Sequence, residues 1–144
     1  MATPPTTDAP LIRAHVFLYP LGVWVLMAVV AVLNGAFRET FLVPNLGEYA
    51  GHVISTALLV TAILVISALY FATTATEYTR IELLLVGVLW TVLTVRFEFL
   101  VGYAEGTPVS VTLGQYDVLA GQVWIAVPLT LLFAPLLFGS WLAN

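Results

Sequence analysis

Four apolar runs, each long enough to cross a lipid bilayer as a helix, take up most of this chain and leave it few folds. They lie at about 15–36, 49–72, 80–102 and 117–140. A helix needs about 20 apolar residues to span the hydrocarbon core. Leu, Val and Ala dominate the runs, which are too long for strands. Hydrophobic residues make up 61% of the chain and charged ones 8%, more apolar surface than a soluble domain of 144 residues has interior to hide. In lipid each segment must satisfy its own backbone N–H and C=O groups, so the runs must be helical. Short connections make sequence neighbours antiparallel. The expected fold is all-α: a transmembrane four-helix up-down-up-down bundle over residues 13–144, with both termini on one side and a flexible tail over 1–12.

The tail is rich in Pro and Thr and has no apolar period. The charge-free stretch that follows, 14–37, is longer than the apolar region of a signal peptide, and its basic flank is Arg13 alone. It reads as a retained helix. Pro20, Pro128 and Pro135 fall inside expected helices, where lipid-embedded segments tolerate them.

Charge and composition exclude several classes. There is no cysteine, which removes disulfides, thiolate metal sites and thiol catalysis. Basic charge comes only from Arg13, Arg38, Arg80 and Arg96, and the net charge is −4. That balance argues against nucleic acid and against docking on anionic headgroups. The expected surroundings are a lipid bilayer in a multi-pass cell-membrane protein, with a homo-oligomer or a membrane-protein partner left open. Arg13 and Arg80 flank the membrane on the terminal side. Arg38 flanks it on the other, with Arg96 about two turns inside. The positive-inside count favours cytoplasmic termini by one residue.

An internal repeat lies beneath this pattern. Arg38-Glu-Thr-Phe-Leu-Val43 is similar to Arg96-Phe-Glu-Phe-Leu-Val101, Leu46-Gly-Glu-Tyr49 to Leu113-Gly-Gln-Tyr116, and Ala50-Gly-His-Val53 to Ala120-Gly-Gln-Val123. The matches keep their order, although their offset drifts from 58 to 70 residues. Two duplicated helical hairpins related by an axis along the membrane normal would produce them, and so would chance in a low-diversity apolar sequence.

Placed on helices, the polar residues fall in stripes. The first helix aligns Trp24, Met27, Ala31, Asn34 and Arg38, and the second Glu48, His52, Ser55 and Leu59. The third aligns Gly87, Thr91, Thr94 and Glu98, and the fourth Gly114, Asp117, Gly121, Trp124 and Pro128. Each stripe carries its polar end away from the termini. Arg96 is about 200° around the helix from Glu98, so the two cannot both point inward. Ionisable groups at membrane depth are costly unless paired or wet, which makes Asn34, Arg38, Glu39, Glu48, His52, Ser55, Arg96, Glu98, Asp117 and Gln122 the candidate polar site. The competing reading is structural: Arg38 with Glu39, and Arg96 with a carboxylate on a neighbour, as buried pairs that fix register, or Arg96 snorkelling to the interface.

His52 is the sharpest single residue, as a hydrogen-bonded structural group, a metal ligand or a proton carrier. Glu48 and His52 at i, i+4 share a face, and with Glu98 they form a speculative metal set, to which Asp117 would add a further oxygen ligand. The paired Glu-x-x-His motifs of di-iron bundles are missing, and His15 sits near the opposite membrane face, which disfavours a haem ligated by both histidines. No nucleotide-binding glycine loop is present, and no cofactor is expected. Trp24, Trp90, Trp124 and the five glycines Gly51, Gly87, Gly102, Gly114 and Gly121 read first as packing, and Trp141 as a belt aromatic.

The stretches Val95-Arg-Phe-Glu-Phe-Leu-Val-Gly-Tyr103 and Gln115-Tyr-Asp-Val-Leu-Ala-Gly-Gln-Val-Trp124, with Asn34-Gly-Ala-Phe-Arg-Glu39 and Gly51-His-Val-Ile-Ser55, resemble a family of small four-helix prokaryotic integral membrane proteins. The resemblance covers most of the helical region and excludes the tail. It implies Phe-Glu, Gly-His and Tyr-Asn pairs on the third and fourth helices. Here Tyr103 stands in place of the His and Asp117 in place of the Asn, which weakens a shared metal site. The family brings no reaction with it, so it bears on the fold and the polar layer alone.

Three functions stay open at this point. One is binding or passage of a small polar solute, ion or proton through the layer around His52 and Glu98. Another is a structural or accessory subunit. The third is a metal- or quinone-dependent redox protein. The balance leans away from an enzyme.

Overall fold

The computed structural model describes residues 12–117 and 122–142, and every regular element among them is helical. A 3-10 turn, Ala14–Phe17, leads into α1, Leu18–Phe37. The helix then widens into a π turn, Arg38–Leu42, and tightens again as α2, Val43–Leu46. After Gly47 come α3, Glu48–Thr73, and α4, Arg80–Ala104. A short α5, Val109–Gly114, precedes α6, Ala126–Trp141.

Three helical stretches are long and apolar enough to cross a membrane: Ala14–Leu46 with 33 residues, Glu48–Thr73 with 26 and Arg80–Ala104 with 25. They fit an integral membrane protein. Large apolar side chains cover their outer faces, among them Leu18, Val25, Val29 and Leu33 on α1 and Val65 and Leu69 on α3. An apolar exterior of this kind suits lipid rather than water against it. At 1.5 Å per residue α6 reaches about 24 Å, short of the roughly 30 Å core.

Local chemistry sets the boundaries. Gly47 has φ +92°, a left-handed conformation that suits glycine, and it separates α2 from α3. Gly51 lets α3 fold back onto α2, since a Cβ there would lie 2.9 Å from Val43 Cγ2 and 3.2 Å from its nitrogen. At the start of α4, Thr79 accepts from the Glu82 N–H at 3.2 Å while Glu82 Oε1 accepts from the Thr79 N–H at 2.9 Å. That reciprocal cap satisfies two of the helix's orphan donors.

The core forms where α6 packs along α3 and α4, and α1 along α3. Met27, Leu59, Ile63, Val86, Trp90, Val127 and Leu131 meet there. The register shows direction: Leu83 sits beside Gly139, Gly87 beside Leu132, and Glu98 bonds Trp124, so α4 and α6 run oppositely. α1 and α4 run the same way. They touch lightly along their length and are tied by the Trp90 indole N–H to Pro20 O at 2.8 Å and the Trp24 indole N–H to Thr94 Oγ1 at 2.9 Å.

Near the chain's start the core closes with rings. Phe71 lies edge-on to Tyr78, centroids 5.7 Å apart, and Tyr78 donates to Val16 O at 3.2 Å while its hydroxyl meets that of Tyr70 at 2.5 Å. Burial, and then the bond to Tyr70, push the Tyr78 phenol far above its usual range, so it stays neutral. Beside it, Arg13 grips Glu82: the backbone N–H and Nε donate to Oε2 at 2.8 and 3.0 Å, and Nη2 to Oε1 at 2.7 Å.

Trp90 is fully buried in this layer, and its indole N–H is the donor that Pro20 O receives from outside its own helix. Trp90→Phe should therefore lower stability by about 1–2 kcal/mol, through a lost hydrogen bond and a small void. Thermal unfolding in detergent reads the loss, and an unchanged midpoint would mean that the bond contributes nothing.

Two boundaries differ from the sequence reading. The first helix was expected to end at 36, at the Arg38-Glu39 charges, yet helical backbone continues to Leu46. The π turn absorbs the charged pair, and Pro44 follows it directly, at the start of α2. The fourth helix was expected over 117–140 but starts at Ala126. The residues between hold one glycine, Gly121, and two polar side chains, Asp117 and Gln122, and Gln122 to Ile125 form a turn rather than a helix. Residues 118–121, like most of the expected tail, lie outside the described residues.

Candidate functional site

The light contact between α1 and α4 leaves a cavity of about 690 Å³ between them, floored by α3 and α6 and edged by α5. Its inner wall is apolar: Met27, Ala31, Leu59, Ile63, Val127 and Leu131. Three aromatic residues, Trp24, Phe97 and Trp124, stand around it. Trp24 and Phe97 meet edge-to-face, centroids 6.0 Å apart at 85°. Polar groups enter at the end away from the chain's start: Thr94, Glu98, Arg38, Glu39, Glu105 and Gln115.

Glu98 is the best-held of these. Its Oε1 accepts from the Trp124 indole N–H at 2.8 Å, and its Oε2 accepts from the Tyr116 hydroxyl. Burial and the contact with Glu98 push the Tyr116 phenol above its ordinary range, so Tyr116 keeps its proton and donates. Both partners are neutral, and among the described residues Glu98 has no ion-pair partner.

Across the cavity mouth, α1 and α3 share a second polar group. The Asn34 side-chain amide donates to Ser55 Oγ at 2.8 Å and to Ser55 O at 3.1 Å, and Arg38 Nη1 donates to the same Oγ at 3.3 Å. Arg38 Nε also pairs with Glu39 at 3.2 Å, where Glu39 is 62% exposed. Ser55 is fully buried, so its hydroxyl serves as a three-way junction. His52 links the two groups. Its ring lies 5.7 Å from Trp124, tilted by 34°, and Nε2 is buried without a hydrogen-bond partner among the described residues.

The structure thus brings together Asn34, Arg38, Glu39, His52, Ser55 and Glu98. Other candidates lie elsewhere. Arg96 is exposed on the far side of α4 from Glu98, as the helical angle requires. Glu48 and Asp117 are exposed, and Gln122 is half-buried in the turn before α6, its N–H on Asp117 O at 3.1 Å. The metal set His52, Glu48 and Glu98 does not assemble: among the described residues no three His, Asp or Glu side chains come close enough to hold an ion.

Sequence reasoning gave no site role to Tyr116 or Phe97 and read Trp24 and Trp124 as packing. Tyr116 carried a faint signal, in that it directly precedes Asp117 within a polar stretch between two apolar ones. Glu82 was missed as well, although Thr79-x-x-Glu82 is a legible capping signature. Among the described residues no nucleophile is hydrogen-bonded to a base here, and the cavity walls suit a molecule with both an apolar body and a polar group.

No protein-family model, no curated protein and no solved structure matches this chain.

Proposed function

We propose that the chain is a multi-pass membrane protein that reversibly binds a small amphipathic ligand in the cavity between α1 and α4. The observation that carries the reading is the cavity's asymmetry: an apolar inner wall and a polar mouth, large enough for a drug-sized molecule. A hydrated ion or a bare proton path would want polar lining along its whole length, which this cavity lacks. Entry between α1 and α4 would draw the ligand from the bilayer itself.

In this proposal α6 and the residues before it form a fourth crossing, which completes an up-down-up-down bundle and returns the chain to its starting side. The opposed directions of α4 and α6 support that arrangement. The terminal side is cytoplasmic, on the strength of Arg13 and Arg80. Membership of the family of small four-helix membrane proteins rests on the motifs around Glu98 and His52. The duplication of hairpins is supported by the short helix within each connection, α2 and α5. An accessory-subunit role is the second reading, favoured by the Asn34–Ser55–Arg38 junction, which ties α1 to α3 whether or not anything binds.

Ala31→Trp tests the proposal. Ala31 lines the cavity on α1, and an indole there would fill it. The neutral amphipathic fluorophore N-phenyl-1-naphthylamine should bind the wild-type protein saturably in nanodiscs, and Ala31→Trp should weaken that binding about ten-fold or more, the equivalent of one good apolar contact surface lost. Equal binding by both proteins would sink the cavity reading and leave the accessory one.

A further inference from the structure

The cavity's charge is unbalanced in a way that selects a ligand. Three carboxylates, Glu39, Glu98 and Glu105, line it against one guanidinium, Arg38. Arg38 is committed to Glu39 at 3.2 Å and to the Ser55 hydroxyl. Glu105 lies at the exposed rim. Glu98 alone sits within, held by the Trp124 N–H and the Tyr116 hydroxyl and facing no cation among the described residues. A carboxylate at membrane depth is costly until an opposite charge reaches it. The aromatic groups beside it add a second, independent preference. Trp24, Phe97 and Trp124 line the same space, and aromatic rings attract cations, indole most strongly. Neither feature favours an anion, and the apolar floor formed by Leu59, Ile63 and Leu131 disfavours a small hydrated metal ion.

We propose that the cavity takes a lipophilic organic cation, an amine or onium compound with an apolar body, whose charge docks at Glu98 among Trp24, Phe97 and Trp124. The inference rests on the ligand-binding reading above and adds the ligand's charge and class. The two donors to Glu98 fix the carboxylate's position, so it need not rearrange when the cation arrives. The apolar body fills the floor, and the charge stays toward the mouth. Glu39 and Glu105, both exposed at the entrance, draw cations toward it.

Two ions of matched shape and opposite charge, tetraphenylphosphonium and tetraphenylborate, provide the test, measured by calorimetry on the full chain in nanodiscs of neutral lipid. The expected result is saturable binding of the phosphonium and none of the borate beyond lipid partition. Glu98→Gln, which keeps the shape of the side chain and one acceptor oxygen for the Trp124 N–H but removes the charge, should weaken phosphonium binding about ten-fold or more. Phe97→Leu, which leaves Glu98 and its donors intact, should weaken the phosphonium several-fold and serves if the glutamine variant does not fold. Equal binding of phosphonium and borate, or phosphonium binding indifferent to both variants, overturns the cation proposal. If the naphthylamine binds and the phosphonium does not, the ligand class is wrong and the cavity reading stands. If neither binds, both fall.

Discussion

Gly87→Ala is expected to cost about 3 kcal/mol or more, the upper end of what an added core methyl does. A Cβ at Gly87 would lie 2.1 Å from the Leu132 carbonyl oxygen and 2.9 Å from its carbon. Those are backbone atoms of α6, so no side-chain rotation relieves the clash and the two helices must separate. Separation would also open the Thr91 hydroxyl's contact with Pro128 O at 3.4 Å and loosen Leu131 and Val127 against Trp90 and Val86. Gly139 faces the same pair of helices with a different neighbour. Its Cβ would meet Leu83 Cδ2 at 2.3 Å and Cδ1 at 2.9 Å, the ends of a side chain that can turn away. Gly139→Ala should cost about 1 kcal/mol. Gly22 meets nothing within 4 Å, and Gly22→Ala should be neutral or stabilise α1 by about 0.5–1 kcal/mol. Unfolding midpoints and monodisperse yield of the three variants in one detergent decide the matter. Equal effects for Gly87→Ala and Gly22→Ala would show that α4 and α6 do not approach this closely.

That close approach explains what could be read in advance and what could not. The all-helical class and the three long apolar helices were legible because lipid leaves no other way to satisfy backbone polar groups over runs of this length. α3 and α4 begin and end within about two residues of where composition alone sets them, within the usual uncertainty of helix ends. The continuation of α1 through Arg38 to Leu46 was not legible. Charges usually mark a helix leaving lipid, whereas here a π turn carries them within helical backbone. The late start of α6 was hidden for the opposite reason. Val118, Leu119 and Ala120 read as helix by hydropathy, while the fold puts a turn at Gln122 to Ile125. Hydropathy measures where a residue prefers to be and is silent on backbone direction.

The site shows a similar division. Helical spacing put Trp24, Met27, Ala31 and Arg38 on one face of α1, and these four line the cavity. It also separated Arg96 from Glu98, a purely geometric consequence of their being two residues apart. What spacing could not supply was contact between elements. Tyr116 and Trp124 reach Glu98 only because α5 and α6 fold back over α4, and Asn34 finds Ser55 across 21 positions of sequence. The Glu48–His52 pair fails as a metal site on a finer point. The i, i+4 spacing aligns the two Cβ atoms, yet Glu48 opens the helix at its exposed end and points to the surroundings, while His52 turns in against Trp124.

The clamp at the chain's start carries the second large effect. Glu82 is fully buried, and its carboxylate accepts three hydrogen bonds from Arg13 and one from the Thr79 N–H. Arg13 also donates to Glu77 O at 2.6 Å, which joins the entry to α1, the α3–α4 loop and the α4 cap in one knot. The hydrogen bond to Glu82 raises the already high pKa of Arg13, so the guanidinium keeps its charge across the working range of pH. Arg13→Ala should cost about 2–3 kcal/mol, because it leaves a buried carboxylate with two backbone N–H donors and no counter-charge; the figure sits below that for a fully enclosed pair because the Arg13 side chain is 30% exposed and water can follow it in. Glu82→Ala should cost about as much by a different route, losing the helix cap while Arg13 swings into solvent. The double variant should then be more stable than the sum of the two by about 1 kcal/mol or more, since the carboxylate that Arg13→Ala strands is no longer there. Glu39→Ala, which breaks an exposed pair, should change stability little by comparison. Chemical denaturation of the four proteins in matched micelles measures all of these terms. Strict additivity of Arg13→Ala and Glu82→Ala would mean that the contact does not hold the two helix starts together.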